Sequence, residues 1–356
     1  MNKGISRRAM LAVLPGSLAA AGVEARKSKP LPRVGEFFRF ADPATEIPVV
    51  RLTNPATASL LPAPTNAFIS VKERFLVFSS DRTGRGAPFR LDLRTGSLSQ
   101  IVPAAELLPL SLCLDPQQRF LYYIDGSTLK EVNLSSKKVQ AIKDDVSAFS
   151  ISSSGSDLVL VRRGRLERLN DGEKPLAEDV ASQCLIRPGG SGCLFDRASA
   201  ENREFWYVPL NADLGADPRL LAKGWISDPF WSPDGQSLLF LRDVRTDDAV
   251  LSEIREVSPE TGLEQKVAPT SQFAAFAPNR NGSVFVGASR SKAQPTVILL
   301  LRSVTREFTL CEHRASHPAS VSPVFSPDSR RVYFQSDHEG KSALYSVNVE
   351  LVVDPT

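Results

Sequence analysis

Near neutral pH, proton transfer by a side chain falls most often to imidazole, and this 356-residue chain has three histidines: His313, His317 and His338. His313 and His317 share one short segment, Glu312-His313-Arg314-Ala315-Ser316-His317, with a guanidinium between them. Imidazole suits both metal ligation and base work, and an arginine can hold an anion through two parallel hydrogen bonds. His313, Arg314 and His317 are therefore the candidate catalytic residues. Their Pro-interrupted segment reads as a loop, so the alternative of merely solvated side chains stays open. Asp228 stands apart, between Trp225 and Trp231. With His317 it makes a thin pair of candidate metal ligands, since carboxylate and imidazole both suit divalent ions. Asp228 before Pro229 also reads as the start of a turn. His338, in Ser336-Asp337-His338-Glu339-Gly340, reads as a hairpin residue at the surface.

Other chemistries find no footing. No Gly-x-Ser-x-Gly, phosphate-binding loop or nucleotide fingerprint occurs. Cys113, Cys184, Cys193 and Cys311 have no Cys-x-x-Cys spacing, which argues against a zinc site. Cys184 and Cys193 flank one expected hairpin and read as buried thiols or as a pair in an oxidising compartment. The formal net charge is +3. At the N-terminus Lys3, Arg7 and Arg8 precede a mostly small, apolar run from Ala9 to Val23. Val23-Glu24-Ala25 or Ala19-Ala20-Ala21 would serve as a cleavage site, so residues 1–25 read as an export signal. Ser6-Arg7-Arg8-Ala9-Met10-Leu11 also resembles a twin-arginine signal. Removing that signal leaves the two signs nearly balanced, which gives no electrostatic case for nucleic acid. A periplasmic or secreted protein with no membrane span after signal removal is expected, with residues 26–35 as a linker.

The candidate residues need a scaffold, and the scaffold is a repeat. Trp231-Ser232-Pro233-Asp234-Gly235 turns into an apolar strand, and Phe325-Ser326-Pro327-Asp328-Ser329 does so again. Weaker copies place the first apolar residue of the following strand at 75, 120, 158, 193, 238, 284 and 332. The mean step is about 43 residues, the length of a four-stranded propeller blade. The spacing predicts an all-β, seven-bladed β-propeller over residues 36–356; a monomer is expected. The last blade runs out of chain after Val349, while the alternating run Ile47 to Thr53 belongs to no blade. The ring is therefore expected to be closed by the N-terminal strand, with Val49 to Thr53 beside Leu344 to Val349, hiding two sticky edges.

Ser-Pro-Asp-Gly turns joined to Ser-Asp-Arg hairpins resemble TolB-type propeller repeats. Val50-Arg51-Leu52-Thr53, Ser79-Ser80-Asp81, Leu91-Asp92-Leu93-Arg94-Thr95-Gly96 and the stretch from Pro323 to Val347 resemble, more narrowly, the oligogalacturonate lyase family. That resemblance covers nearly the whole chain after the signal. It implies β-elimination of galacturonate disaccharides with the help of a divalent metal, typically manganese, that binds the carboxylate. The family's metal site uses two histidines and a glutamine before the final turn and a histidine before the Trp of a Trp-x-Pro-Asp-Gly turn. Here Ser320 and Ser322 stand at the paired histidines, His317 at the glutamine and Asp228 at the last histidine. These departures lead to the expectation of no tightly bound manganese. Two functions follow: a lyase-type propeller acting on or binding pectin-derived uronate oligosaccharides, or a non-catalytic TolB-like scaffold binding a protein or glycan. In either case the loops entering the innermost strands are expected to gather Asn66, Glu106, Trp225, Asp228, His313, Arg314 and His317 at one mouth of the channel. Arg314 would then meet a carboxylate and Trp225 a sugar ring.

Overall fold

The computed structural model describes residues 35–169, 175–198, 203–210, 217–245, 250–270 and 272–350. The expected export signal and most of the linker lie outside these residues. Seven antiparallel sheets follow one another along the chain. From the channel outward, the first blade is Ser59–Leu60, Phe75–Ser80, Ala87–Asp92 and Leu98–Gln100. The second is Cys113–Leu114, Phe120–Asp125, Thr128–Asn133 and Val139–Lys143. Val146–Ile151, Leu158–Arg162 and Arg165–Arg168 make the third, whose outer edge is completed by a single bridge from Leu166 to Ala177. The fourth is Cys184–Ile186, Gly192–Ala198, Arg203–Pro209 and Arg219–Gly224. Ile226–Trp231, Leu238–Arg245, Val250–Val257 and Glu264–Pro269 form the fifth. Phe273–Pro278, Val284–Ser289, Thr296–Leu301 and Arg306–Glu312 form the sixth.

The seventh sheet joins chain ends. Val324–Phe325, Arg331–Ser336 and Ala343–Asn348 are followed outward by Pro48–Arg51 and Phe38–Ala41. Val49 lies opposite Val347 and Arg51 opposite Tyr345. The backbone N–H of Leu344 donates to Thr53 Oγ1 at 2.9 Å.

The strand patterns follow from position in a blade. Each second strand is covered on both faces by neighbouring blades, so Phe75–Ser80 and Val284–Ser289 are buried throughout. That is why they read as continuous apolar runs rather than as alternation. Outermost strands such as Val139–Lys143 are mostly exposed. Burying each side chain such as Phe78, Leu121, Phe240 or Phe285, all fully buried, contributes about 2–3 kcal/mol of transfer free energy.

The turn between the first two strands is built the same way in all seven blades. A leading residue's carbonyl accepts the N–H three residues on: Ser70 from Glu73, Asp115 from Gln118, Ser152 from Gly155 and Arg187 from Gly190. Ser232 accepts from Gly235, Asn279 from Gly282 and Ser326 from Ser329 in the same way. Side-chain oxygens tighten the loop: Ser232 Oγ accepts the N–H of Ser237 at 2.9 Å, and Asp115 Oδ1 that of Phe120 at 2.6 Å. Every fourth residue has positive φ, from 47° at Glu73 to 78° at Gly155. In blades three to six that residue is glycine; in blades seven, one and two it is Ser329, Glu73 and Gln118. Each glycine turn also rests on the turn before it. A Cβ on Gly235 would come within 3.1 Å of the Pro188 carbonyl oxygen, and one on Gly282 within 3.5 Å of Pro233.

The innermost strands divide the ring the same way. In blades five and six they run unbroken, apart from a bulge or register shift. In blades one, two and seven the chain leaves the strand and returns. Ser59–Leu60 and Ile69 pair with the same neighbouring strand across an excursion of residues 61–66. Leu107 and Cys113–Leu114 do so across Pro109–Ser111, and Pro318–Val321 makes a similar 3-10 turn before Val324. Asn66 Nδ2 donates to the carbonyls of Leu110 and Leu112 at 3.1 and 3.2 Å, tying blade one to blade two. Gln335 links blade seven to blade one, since its amide donates to Ser320 O and its carbonyl accepts from Leu61 N–H, both at 2.7 Å.

Candidate functional site

Where these excursions meet the start of blades three and four, the surface folds into a cavity of about 440 Å³. Asn66, Leu108 and Leu110 line it from the excursions, and Phe149, Gln183, Leu185 and Arg203 from the other side. Leu108 and Leu110 are 40% and 52% exposed and form an apolar lip. Gln183 Nε2 is buried with no hydrogen-bond partner among the described residues. Asn66 spends its amide hydrogens on the two carbonyls above, which leaves its side-chain oxygen as an acceptor.

Arg203 brings the charge, and Asp196 holds it. Asp196 is only 1% exposed, and its Oδ1 accepts the N–H groups of Ser182 and Gln183, both at 2.9 Å. Its Oδ2 accepts from Arg203 Nε at 3.1 Å and Nη2 at 2.9 Å, and Arg203 Nη2 also reaches Ser182 Oγ at 3.0 Å. A buried carboxylate thus fixes the guanidinium from one side, and Nη1 has no partner among the described residues. The site combines a positioned cation, an unpaired amide donor, an amide acceptor and an apolar wall. Such a set recognises a carboxylate together with ring hydroxyls and a sugar face.

The histidine segment is built differently. His313 is fully buried. Its Nδ1 accepts the N–H of Ala315 at 3.0 Å, so the ring proton sits on Nε2, which donates to Ser289 O at 3.0 Å. Burial pulls its pKa below the usual imidazole range. Both nitrogens therefore serve the fold. His317 is exposed, with Nδ1 2.9 Å from Ser316 Oγ. Because Ser316 gives its hydroxyl hydrogen to Asp337, Nδ1 carries the ring proton and Nε2 is left free. Arg314 is paired with Glu312 through Nε at 2.6 Å and through Nη2. His338 lies in its surface hairpin with its ring 5.5 Å from that of Tyr345. Trp225 is 49% exposed, and the Arg245 guanidinium covers its ring at 3.5 Å from the centroid.

Asp228 sits in a bulge, with a register shift between Ser227 and Phe230 and φ of 48°. Its residue surface is partly exposed, yet the carboxyl itself is desolvated, which raises its pKa to about 6. Ser227 Oγ donates to it at 3.0 Å, and Arg203 and Asp243 are the charges it feels. Of the residues expected at the mouth, the cavity takes Asn66 into its lining, and Asp228 lies within electrostatic reach of Arg203. Glu106, Trp225, His313, Arg314 and His317 are not among its lining residues. Arg203 and Gln183 escape a sequence reading, although an acid in the apolar run Cys193-Leu194-Phe195-Asp196 signals a buried partner nearby.

The positions matched to a manganese site do not make a donor set. Ser320 Oγ donates to the His317 carbonyl at 2.7 Å, Ser322 is a left-handed cap with φ of 47°, and Asp228 is bonded to Ser227. Among the described residues no three His, Cys, Asp or Glu side chains converge on one point. Cys184 and Cys193 are free, buried thiols in contact with each other. A larger cleft of about 720 Å³ lies on the turn face, between blades five and six. Its charge largely cancels, since Arg302 Nη2 donates to both oxygens of Glu256 at 2.9 Å. It is less suited to an anion than the mouth.

No family model matches the chain. An oligogalacturonide lyase of Pectobacterium atrosepticum is 24% identical over 144 residues, 34% of this chain and 36% of that protein. The matched stretch thus spans about a third of that relative's length. An oligogalacturonate lyase in complex with manganese superposes with a TM-score of 0.77 at 20% identity, over 88% of this chain and 96% of the other. An oligogalacturonate lyase from Vibrio parahaemolyticus gives the same values. Kuenenia stuttgartiensis hydrazine synthase superposes with a TM-score of 0.57 at 14% identity, over 80% of this chain and 95% of that one. The same ring thus serves unrelated functions, and fold alone does not assign one. This chain is an all-β, seven-bladed propeller that shares its fold with the oligogalacturonate lyases.

Proposed function

We propose that this protein binds uronate oligosaccharides of the pectin-derived kind in the cavity beside Arg203, without manganese-assisted elimination. The observation that carries this reading is the Asp196–Arg203 pair, which sets a fixed guanidinium, its Nη1 without a partner among the described residues, in the lining of a cavity with an apolar wall and one unpaired amide, that of Gln183. The fold shared with oligogalacturonate lyases supports the ligand class. The donor groups at the matched metal positions do not fit a divalent ion, so no metal step is derived. Export as a monomer is part of the same proposal, supported by the Arg7-Arg8 signal pattern and the nearly balanced charge of the remaining chain. We read the strand Pro48–Arg51 as the clasp that closes the ring, supported by its pairing with Ala343–Asn348.

Titration calorimetry with digalacturonate, and with uncharged galactobiose as control, tests the site. Arg203→Gln should weaken digalacturonate binding at least tenfold, the usual worth of a charged hydrogen bond, and should also lower the melting temperature, because it takes the cation from a carboxylate that is 1% exposed. The double variant Arg314→Ala/His317→Ala should bind like the parent. The reverse pattern would move the site to the blade-seven loop. Metal-dependent release of an ultraviolet-absorbing unsaturated sugar would overturn the binding-only reading.

A further inference from the structure

We infer that the seam between the last and first blades is a pH-sensitive latch, in which one proton is shared between the carboxyl groups of Glu73 and Asp328. The seven equivalent turns make the contact unusual. Other turns meet through proline, backbone or a side chain set against backbone, as where Arg187 Nε donates to Gly235 O and Ser329 Oγ accepts the Arg280 N–H at 3.1 Å; the blade-one turn instead sends a glutamate across to Arg331 and the Ser326-Pro327-Asp328 turn. Glu73 holds the left-handed position, φ 47°, that glycine takes in four of the other blades. That backbone costs a side-chain-bearing residue about 1 kcal/mol or more, so the side chain is kept there against strain.

Its surroundings need the proton. Glu73 Oε1 is buried with no partner, and Oε2 lies 3.8 Å from Arg331 Nε, too far for a hydrogen bond. Asp328 already accepts the Ser326 hydroxyl at 2.7 Å and the Arg330 N–H at 3.0 Å through Oδ1, an arrangement that favours its ionised form. A protonated Glu73 then donates to an ionised Asp328. Burial first, and the facing Asp328 second, raise the Glu73 pKa to about 7. Burial works against Asp328 as well, but the hydrogen bonds from Glu73 and Ser326 hold it below the usual range. The other groups facing the pair are Arg331, the Tyr333 phenol and, beyond Asp328, Arg330 with its partner Glu350. The Ser326 hydroxyl, already given to Asp328, and the more distant Arg331 are the groups placed to offset a second negative charge on Glu73.

The sign follows from a folded-state pKa above the ordinary glutamate value of 4.5. The latch is complete below that value and is lost as the pH rises through about 7. Above neutrality two carboxylates face each other across the seam.

Melting curves between pH 5 and 8.5 should show the wild-type protein losing about 3–6 °C relative to Glu73→Gln, whose amide keeps a donor to Asp328 at every pH. Amides of Arg331–Ser336 should exchange about tenfold faster at pH 8 than at pH 6 after correction for intrinsic rates, and no faster in the Gln variant. Asp234→Asn, the matching turn position of blade five, should leave the wild-type slope intact. Parallel curves for wild type and Glu73→Gln, or an equal flattening by Asp234→Asn, would overturn the latch. Infrared spectroscopy of the wild-type protein gives a test free of any variant. A protonated carboxyl band should disappear with a midpoint near pH 7, and the absence of such a band at pH 6 would also overturn it.

Discussion

Blades seven, one and two form one arc of the ring, and blades three to six another. In the second arc every turn has its glycine, and each turn rests on the one before. In the first arc all three innermost strands are broken by excursions, and all three left-handed turn positions carry side chains. The first arc gives up local regularity in return for loops at the channel mouth and polar contacts at the seam. The second supplies a more regular wall, and the cavity forms where the two meet. A repeat protein need not spread its strain evenly; here strain and candidate function are gathered in adjoining blades.

Substitutions can sharpen or break this contrast. The largest effect is expected at Pro48–Arg51, which pairs with Ala343–Asn348. Val49 is 2% exposed opposite Val347, and Val49→Asp should cost about 4 kcal/mol or more by burying an unpaired charge. Denaturant unfolding that stays as cooperative as the parent's would show that the seam does not depend on this strand. In the regular arc, Gly235→Ala should cost about 2 kcal/mol, because the added methyl meets Pro188 in a left-handed turn. A neutral result would mean that the turn packing is slack. Asp228→Asn should stabilise the protein at pH 8 by on the order of 1–2 kcal/mol, since the wild-type carboxyl must ionise while desolvated. That gain should fade as the pH falls through about 6 toward the ordinary aspartate value of 3.8. A gain that persists at pH 4 would point to packing rather than charge. The smallest effect is the mirror of the second: Gln118→Gly in the strained arc should add about 0.5–1 kcal/mol. A loss there would show that the Gln118 side chain does more than tolerate its φ of 58°.

Most of the ring was legible because turn chemistry is local. Pro233, Asp234 and Gly235 act within a few bonds, and the strands they announce begin at Phe75, Phe120, Leu158, Leu238 and Val284, as the spacing predicts. The excursions were legible as segments, and Asn66 does reach the cavity. Two things were hidden. Glu73, Gln118 and Ser329 do not look like left-handed residues, because nothing in their own chemistry prefers that conformation as Gly does. The site's cation was hidden because its role belongs to a partner. Arg314 and Arg203 look alike in sequence, and each is held by an acid through Nε and Nη2; the difference is that Asp196 is 1% exposed and sets Arg203 in the cavity lining, while Arg314 lies exposed outside it. Cross-strand register decides that, and a linear pattern does not record it.

The pairing of the two chain ends also sets a schedule. Thr53 and Leu344 are bonded across 291 residues of sequence. At about 5–20 residues per second, the ribosome needs roughly 15–60 s to deliver the partner of Pro48–Arg51 after that strand has been made. Phe38–Ala41 can cover one edge at once, since it pairs with Pro48–Arg51 as a local hairpin. The other edge, with Val49 beside it, waits through the synthesis of every blade. In a crowded translating polysome that waiting edge faces identical nascent edges, so the free edge of Pro48–Arg51 is where exchange between sister chains should begin.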